Sequence, residues 1–342
     1  MKKCLSLVLA LAMTFTLASC GGNGGNTDGG ESKVSLNVSV PDADNSYIYA
    51  AVQEFKSRVE EYSNGSIELT IYPNGSLYGG DGNAAISSVG NGSLDIVILA
   101  ASLYASFDPS FFVLSVPYLF DDAQQLQDYL NSDTGVDLFN RVEDMGITCL
   151  GRWTRSFRQV TNNKRPITQP SDLEGLTLRT PSNSLYVEFF DACGANVNPM
   201  NFSEVYNALQ LNTLDGQENP VDVPATNNFY EVQKYISATN HIADAWVVGM
   251  NTTKLSGLSE EQQNALRQAA EECQQWYVDY QDEKDSEMLK LLTDNGMEYN
   301  ELSEEGFNQF VEISQSLYPT FKTLVENDEL FDTTVEFCGK AQ

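Results

Sequence analysis

The arginines of this chain are concentrated in one short stretch. Of the eight arginines, five lie within 28 residues, namely Arg152, Arg155, Arg158, Arg165 and Arg179. A guanidinium group keeps its charge and presents a planar pair of donors that matches a carboxylate. Such a cluster in an acidic protein predicts a site for a carboxylate anion. The alternative is that these arginines pair with nearby acids on a solvated surface.

Other kinds of chemistry find few suitable residues. His241 is the only histidine, so a Ser-His-Asp triad would have to use it, and zinc sites with several histidines are excluded. None of the six cysteines has the Cys-x-x-Cys spacing of metal knuckles or thioredoxin-type pairs. Residues 80–85 fit G-x-G-x-x-A, but they do not directly follow a strand and lack an evident acidic ribose partner. We therefore expect no catalytic residue, no metal and no cofactor.

Size and charge limit the class of protein further. The chain has 342 residues, of which 42% are hydrophobic, and its 19 Lys+Arg against 48 Asp+Glu give a net charge of -29. A chain of this length has ample core for one large or two medium domains. Nucleic acid is a poor partner, because phosphate binding needs a basic face. After residue 20, no unbroken apolar run is long enough to span a membrane.

The N-terminus has the features of a secretory leader. Two lysines precede an apolar stretch over residues 5–17, and a cysteine follows two small residues at Leu17-Ala18-Ser19-Cys20, which resembles a bacterial lipobox. We predict a signal peptide over residues 1–19, lipidation of Cys20 and a flexible tether over residues 20–33. The protein would then be extracytoplasmic, lipid-anchored to the outer face of the cell membrane or periplasmic. The alternative is an ordinary leader with an incidental cysteine, and the pairing of the four later cysteines stays open.

Alternating strands and helices would position the arginines. Residues 34–40 alternate strictly, residues 47–62 have helical spacing, and residues 94–99 form a nearly continuous apolar run. This order predicts an α/β protein with a mostly parallel sheet and helices on both faces. A second αβ region follows from about residue 147. Residues 259–292 predict a polar-faced helix of roughly 50 Å, which is too long for one small domain and is expected to lie across two.

The most specific motifs lie between residues 176 and 220. They are LRTP at 178–181, FSEVYNALQ at 202–210 and DGQENP at 215–220, with VPYLF at 116–120 as a further match. These motifs resemble the solute-binding proteins of tripartite ATP-independent periplasmic (TRAP) transporters, the DctP family, in lipoprotein form. The resemblance extends over residues 34–335.

This resemblance implies a two-lobed periplasmic-binding-protein fold with a ligand cleft between the lobes and a long helix spanning both. Lobe I would comprise residues 34–155 and about 245–285, and lobe II residues 156–244 and about 286–342. The implied partners are a small organic-acid ligand and the membrane subunits of a TRAP permease. The implied activity is transport, not catalysis.

The resemblance also implies which residues bind the ligand. Arg179 would form an arginine–carboxylate clamp on the ligand, with Arg158 as a second arginine and Asn219 as a donor to the same carboxylate. The other implied substrate-binding residues are Phe202, Trp153, Tyr47, Asp81 and Ser102. We expect His241 to pack at the hinge and Glu218 to be structural.

The ligand itself is open between several organic acids. We favour a sugar acid such as a hexuronate, because a polar first lobe and the Trp153 ring suit a pyranose. A C4-dicarboxylate would place its second carboxylate on Arg155 or Arg158, and a keto acid would use the same scaffold. Two rival hypotheses are a secreted carbohydrate hydrolase that uses two carboxylates and a binding protein that serves a sensor.

Overall fold

The computed structural model of the protein describes residues 32–341, so the predicted signal peptide and the predicted lipidation site Cys20 lie outside the described residues. The strands are β1 (Val34–Ser39), β2 (Ile67–Tyr72), β3 (Ile96–Ala100), β4 (Ile147–Arg155), β5 (Gln159–Asn162), β6 (Thr177–Thr180), β7 (Asn196–Pro199), β8 (Gly216–Asn219), β9 (Tyr235–Ala238), β10 (Asp244–Asn251) and β11 (Glu298–Glu301). The helices are α1 (Tyr47–Tyr62), α2 (Gly82–Gly90), α3 (Ala101–Tyr104), α4 (Ala123–Asn131), α5 (Asp133–Asn140), α6 (Ser184–Ala192), α7 (Phe202–Gln210), α8 (Asp222–Thr226), α9 (Thr252–Ser256), α10 (Glu260–Asp294), α11 (Glu304–Ser316), α12 (Tyr318–Val325) and α13 (Asp328–Phe337). In this part of the chain, no helix is both long and apolar enough to cross a membrane.

The strands of residues 32–341 form two mixed sheets. Sheet I has the order β2-β1-β3-β10-β4, and sheet II has the order β11-β9-β5-β8-β6-β7. The first three strands pair in parallel, as the β-α-β pattern predicts. The expectation of a mostly parallel sheet is nevertheless wrong, because β10 is antiparallel to both of its neighbours. The reason is the chain path, because the chain comes from β9 of sheet II and starts β10 beside the carboxyl end of β3. β10 therefore runs in the direction opposite to β3.

The long helix α10 contacts the cores of both sheets. Its start is fixed by a capping box, in which the Ser259 hydroxyl accepts from the backbone N–H of Gln262 at 3.1 Å. In its first half, Ala270 and Cys273 are buried in the core of sheet I. In its last turn, Leu292 packs with Ile236 of β9 in sheet II. The prediction of a long helix spanning two lobes is confirmed.

The last three helices cover a shared core. Phe310, Phe321 and Phe331 come from α11, α12 and α13, and they belong to one apolar cluster with Phe111 and with Phe189 of α6. These helices therefore pack against elements that follow β3 as well as elements that follow β6. The exact lobe boundaries stay a prediction. The cysteines that the structure describes are all unpaired thiols, namely Cys149, Cys193, Cys273 and Cys338.

Candidate functional site

A cavity lies between the two sheets, at the carboxyl ends of β1, β3, β6 and β8. Segments that follow β1, β2 and β3 supply one wall, which includes Asp42, Tyr78 and Ser102. The opposite wall comes from sheet II and α7, and it includes Arg179, Phe202 and Asn219. The carboxyl ends of parallel strands are the usual place for a ligand in α/β sheets.

The structure brings five of the eight predicted substrate-binding residues to this cavity. These five are Arg158, Arg179, Phe202, Asn219 and Ser102. They lie up to 117 positions apart in the sequence, on α3, the β4–β5 connection, β6, α7 and β8. Their contact with a ligand stays a prediction.

The other three predicted residues do not line the cavity, although Gly80 and Gly82 on either side of Asp81 do. Trp153 is fully buried in the core of sheet I, where its indole N–H donates to the carbonyl of Ala270 at 2.7 Å. The ring of Tyr47 packs edge-on against Tyr280 of α10, with 5.5 Å between the ring centres. Asp81 caps α2 through its carboxylate. Each of these side chains has a packing or capping position that the sequence motif did not reveal.

Arg179 is a buried cation that forms no ion pair with a carboxylate within residues 32–341. Its side chain is 3% exposed, and its Nε and Nη2 donate to the carbonyl of Met200 at 3.1 and 2.8 Å. The ion pairs that the described residues form at this cavity use Arg155 and Arg158, not Arg179. Burial, together with repulsion from Arg158, lowers the pKa of Arg179 to about 10 in spite of attraction from Glu218. An uncompensated buried charge costs free energy, so this position favours an incoming anion.

Arg158, in contrast, already has its carboxylate. Its Nε and Nη2 donate to the two carboxylate oxygens of Glu218, and Nη2 also lies 3.0 Å from the Asn219 Oδ1 atom. Burial disfavours the charged form of both groups. Attraction and hydrogen bonding, chiefly from Arg158, nevertheless together outweigh burial and lower the pKa of Glu218 to about 2. Asp244 accepts from Arg155 and Arg158 at 3.2 and 3.3 Å. Two of the three cavity arginines are therefore neutralised by the protein itself.

His241 contacts this network through the carboxylate of Glu218. Its Nε2 atom lies 3.1 Å from a carboxylate oxygen of Glu218, and its Nδ1 atom lies 2.8 Å from the hydroxyl of Thr239. Burial lowers the pKa of His241 below its usual 6.5, although Glu218 attracts the proton. The imidazole is buried and does not line the cavity. This placement agrees with a structural role for His241 and Glu218.

Trp246 is one of three aromatic residues that line the cavity, together with Tyr78 and Phe202. It lies directly opposite Trp153 in the β4–β10 register, and the guanidinium carbon of Arg155 lies 4.3 Å from its ring centre. Sequence reasoning missed Trp246, because the pattern did not reveal β10. It also missed Asp42 and Tyr78. For Asp42 a signal was present, since this residue closely follows a strand whose carboxyl end faces the cleft.

The two walls contact each other over the cavity. Asn183, which precedes α6, donates from its amide to the carbonyl of Ser102 at 3.0 Å and to the hydroxyl of Ser115 at 3.1 Å. Gly80 has a φ of +75°, and a Cβ atom built on it would lie 2.7 Å from the Ser203 side chain of α7. The two walls are therefore in direct contact at these points.

Comparisons with known proteins show the family of this chain. Residues 38–324 match the DctP model, described as bacterial extracellular solute-binding protein, family 7. The 2,3-diketo-L-gulonate-binding periplasmic protein YiaO of Escherichia coli is 35% identical over 225 residues, which are 66% of this chain and 68% of that protein. The C4-dicarboxylate-binding protein DctB of Bacillus subtilis is 26% identical over 330 residues, 94% of each chain.

A solved structure shows the same architecture. The sugar acid binding protein DctPAm of Advenella mimigardefordensis, in complex with galactonate, has a TM-score of 0.87 and 28% identity, over 91% of this chain and 100% of that chain. The predicted two-lobed periplasmic-binding fold is therefore confirmed. Members of this family are extracytoplasmic transport proteins and not enzymes. The chain belongs to the bacterial extracellular solute-binding proteins of family 7, the DctP family, which serve TRAP transporters.

Proposed function

We propose that this protein captures a small organic acid outside the cytoplasm and delivers it, chemically unchanged, to a TRAP permease. The proposal rests on Arg179, a buried guanidinium that lines the cavity and has no carboxylate partner in residues 32–341. A ligand carboxylate would complete the clamp with Arg179. Asn219 uses one amide N–H on Gln217 at 2.7 Å, which leaves its second N–H for the same carboxylate.

Within this proposal the favoured ligand is a sugar acid, such as a hexuronate. Two relatives support it, since YiaO binds 2,3-diketo-L-gulonate and DctPAm was solved with galactonate. Aromatic residues line the cavity, namely Tyr78, Phe202 and Trp246, and such rings suit a pyranose. The DctB relative supports a C4-dicarboxylate as the alternative ligand, and a keto acid is a further one. However, Arg155 and Arg158, on which a second carboxylate would depend, are already paired with Asp244 and Glu218.

A binding role is favoured over hydrolysis. A two-carboxylate glycosidase needs two acids that face its substrate. Of the described residues that line this cavity, only Asp42 has a carboxyl group.

We further propose that Cys20 is lipidated after removal of residues 1–19. Labelling with a radioactive fatty acid should then mark the parent protein and not Cys20→Ala, and equal labelling of both would contradict the anchor.

A thermal-shift screen of the chain from residue 21 onward tests the proposed function. The panel contains hexuronates, aldonates, dicarboxylates, keto acids and the neutral sugars that match the sugar acids. A ligand at 100 times its Kd adds about 2.7 kcal/mol to the free energy of unfolding. We expect a shift with an acid and no shift with its neutral counterpart. A shift with neutral sugars alone would contradict the clamp. The absence of a shift with every acid of the panel would contradict it as well.

A further inference from the structure

Two buried polar groups in the cavity are not used by the clamp. Asp42 is 4% exposed and Tyr78 is 9% exposed, and both line the wall that faces sheet II. Within residues 32–341, neither the Oδ2 atom of Asp42 nor the hydroxyl of Tyr78 has a hydrogen-bond partner. Buried polar atoms in proteins are nearly always satisfied. An acceptor and a hydroxyl left open in one cavity therefore indicate a ligand that supplies matching groups.

The protein holds these two groups in fixed positions. The loop with Asp42 and the loop with Tyr78 are joined by backbone hydrogen bonds from Asn74 to Asp42 at 2.8 Å and from Gly75 to Val40 at 2.9 Å. Gly75 has a φ of +58°, and a Cβ atom on it would lie 2.9 Å from the Tyr78 ring. The absence of a side chain at Gly75 lets the ring approach the turn closely, so the position of the hydroxyl is built into the fold.

The carboxyl groups around the cavity disfavour a second ligand carboxylate near Asp42. Arg155, Arg158 and Arg179 bring three positive charges, and the protein's own carboxyl groups here are those of Glu218, Asp244 and Asp42. Burial raises the pKa of Asp42, although Arg155 and Arg158 oppose this effect. A second ligand carboxylate near Asp42 would add a buried negative charge beside another acid. Hydroxyl groups, in contrast, donate to a buried carboxyl oxygen without adding charge.

Building on the proposed function, we propose that Asp42 and Tyr78 form the specificity subsite of this cavity. They bind hydroxyl groups of a polyhydroxylated monocarboxylate whose acid end lies on Arg179, and they exclude a second carboxylate. The ligand class is thus an aldonate, uronate or related sugar acid, and dicarboxylates are rejected. Asp42 accepts a hydrogen bond from one ligand hydroxyl, and the Tyr78 hydroxyl exchanges one with a neighbouring ligand oxygen.

A matched ligand pair tests this subsite by calorimetric titration. The pair is an aldonate and the aldarate with the same carbon skeleton, which differ only in a terminal hydroxymethyl group against a second carboxylate. We expect the parent protein to bind the aldonate at least tenfold more tightly. Asp42→Asn should reduce this preference at least tenfold, and Tyr78→Phe should weaken aldonate binding about tenfold. Asp44→Asn is the matched control, because Asp44 is exposed, lies two residues away and does not line the cavity.

The outcomes separate this inference from the proposed function. Equal affinity for the two acids in the parent protein, or an unchanged preference in Asp42→Asn together with unchanged affinity in Tyr78→Phe, would overturn the subsite and leave the organic-acid carrier intact. Binding of no acid at all would overturn both. Melting temperatures of the ligand-free variants within a few degrees of the parent show that any change arises at the site and not from misfolding.

Discussion

Replacing Arg179 with methionine is expected to stabilise the ligand-free protein and to abolish its response to organic acids. Both effects have the same origin, because Arg179 is a buried charge for which residues 32–341 supply no ion-paired carboxylate. Replacing an arginine that stabilises the fold through an ion pair would instead lower the stability of the ligand-free protein. The substitution therefore separates a ligand-binding arginine from a structural one.

The magnitude follows from the surroundings of the guanidinium. Burial and neighbouring arginines lower its pKa from 12.5 to about 10, which corresponds to about 3 kcal/mol of destabilisation at 1.36 kcal/mol per pKa unit. This cost applies at any pH below about 10, where the group is charged. Methionine removes it but gives up two hydrogen bonds to the Met200 carbonyl, at about 1 kcal/mol each. The net gain is about 1 kcal/mol, or a rise in Tm of about 1–2 °C for a chain of this size.

The affinity for the ligand should change far more than the stability of the ligand-free protein. Truncating one partner of a buried charge pair costs about 2–5 kcal/mol, which is about 30-fold to 4,000-fold in Kd. Scanning calorimetry with and without the acid, followed by titration calorimetry, measures both quantities. Arg141→Met is the control, because Arg141 is 44% exposed and pairs with Asp108 at the surface. A variant at Arg179 that binds the acid like the parent, or that melts several degrees lower without ligand, would refute the reasoning.

Three further predictions concern closure, stability and pH. Gly80→Ala should weaken ligand affinity in titration calorimetry, because the added Cβ meets α7 at 2.7 Å, whereas Gly79→Ala, with a similar φ and nothing within 4 Å, should not; equal losses would argue against closure at this point. Glu218→Gln should lower the free energy of unfolding in urea by about 3–5 kcal/mol, because it leaves Arg158 without its bidentate partner, and an unchanged midpoint would contradict this. Burial raises the pKa of Asp222 to about 7, above an unfolded value near 3.8, so its contribution to stability is lost as the pH rises from about 4 through 7. Urea unfolding at pH 5 and pH 8 should show that the free energy of unfolding decreases less between these pH values in Asp222→Asn than in the parent protein. An identical decrease in both proteins would exclude Asp222 as the cause.

Much of the local structure follows from the sequence alone. The helical spacing of residues 47–62 predicts α1 at its observed bounds, and the capping residue Ser259 marks the start of α10. These features depend on side chains a few positions apart, whose chemistry is visible in the sequence. The motifs around Arg179 and Asn219 indicated the family and a carboxylate site. The arginine cluster alone did not distinguish its members, because spacing shows neither burial nor partners.

The packing of distant segments sets which of the cavity arginines has no ion-paired carboxylate within residues 32–341 and which groups face it. Arg158 meets Glu218 because β5 pairs with β8, whereas Arg179 donates to the backbone carbonyl of Met200 and lies 6.0 Å from the ring centre of Phe202. The antiparallel entry of β10 places Trp246 at the cavity while Trp153 is buried in the core. These outcomes depend on strand order and register between segments that are distant in the chain. Hydrophobic periodicity specifies which face of a strand is buried, but not which strand lies beside it.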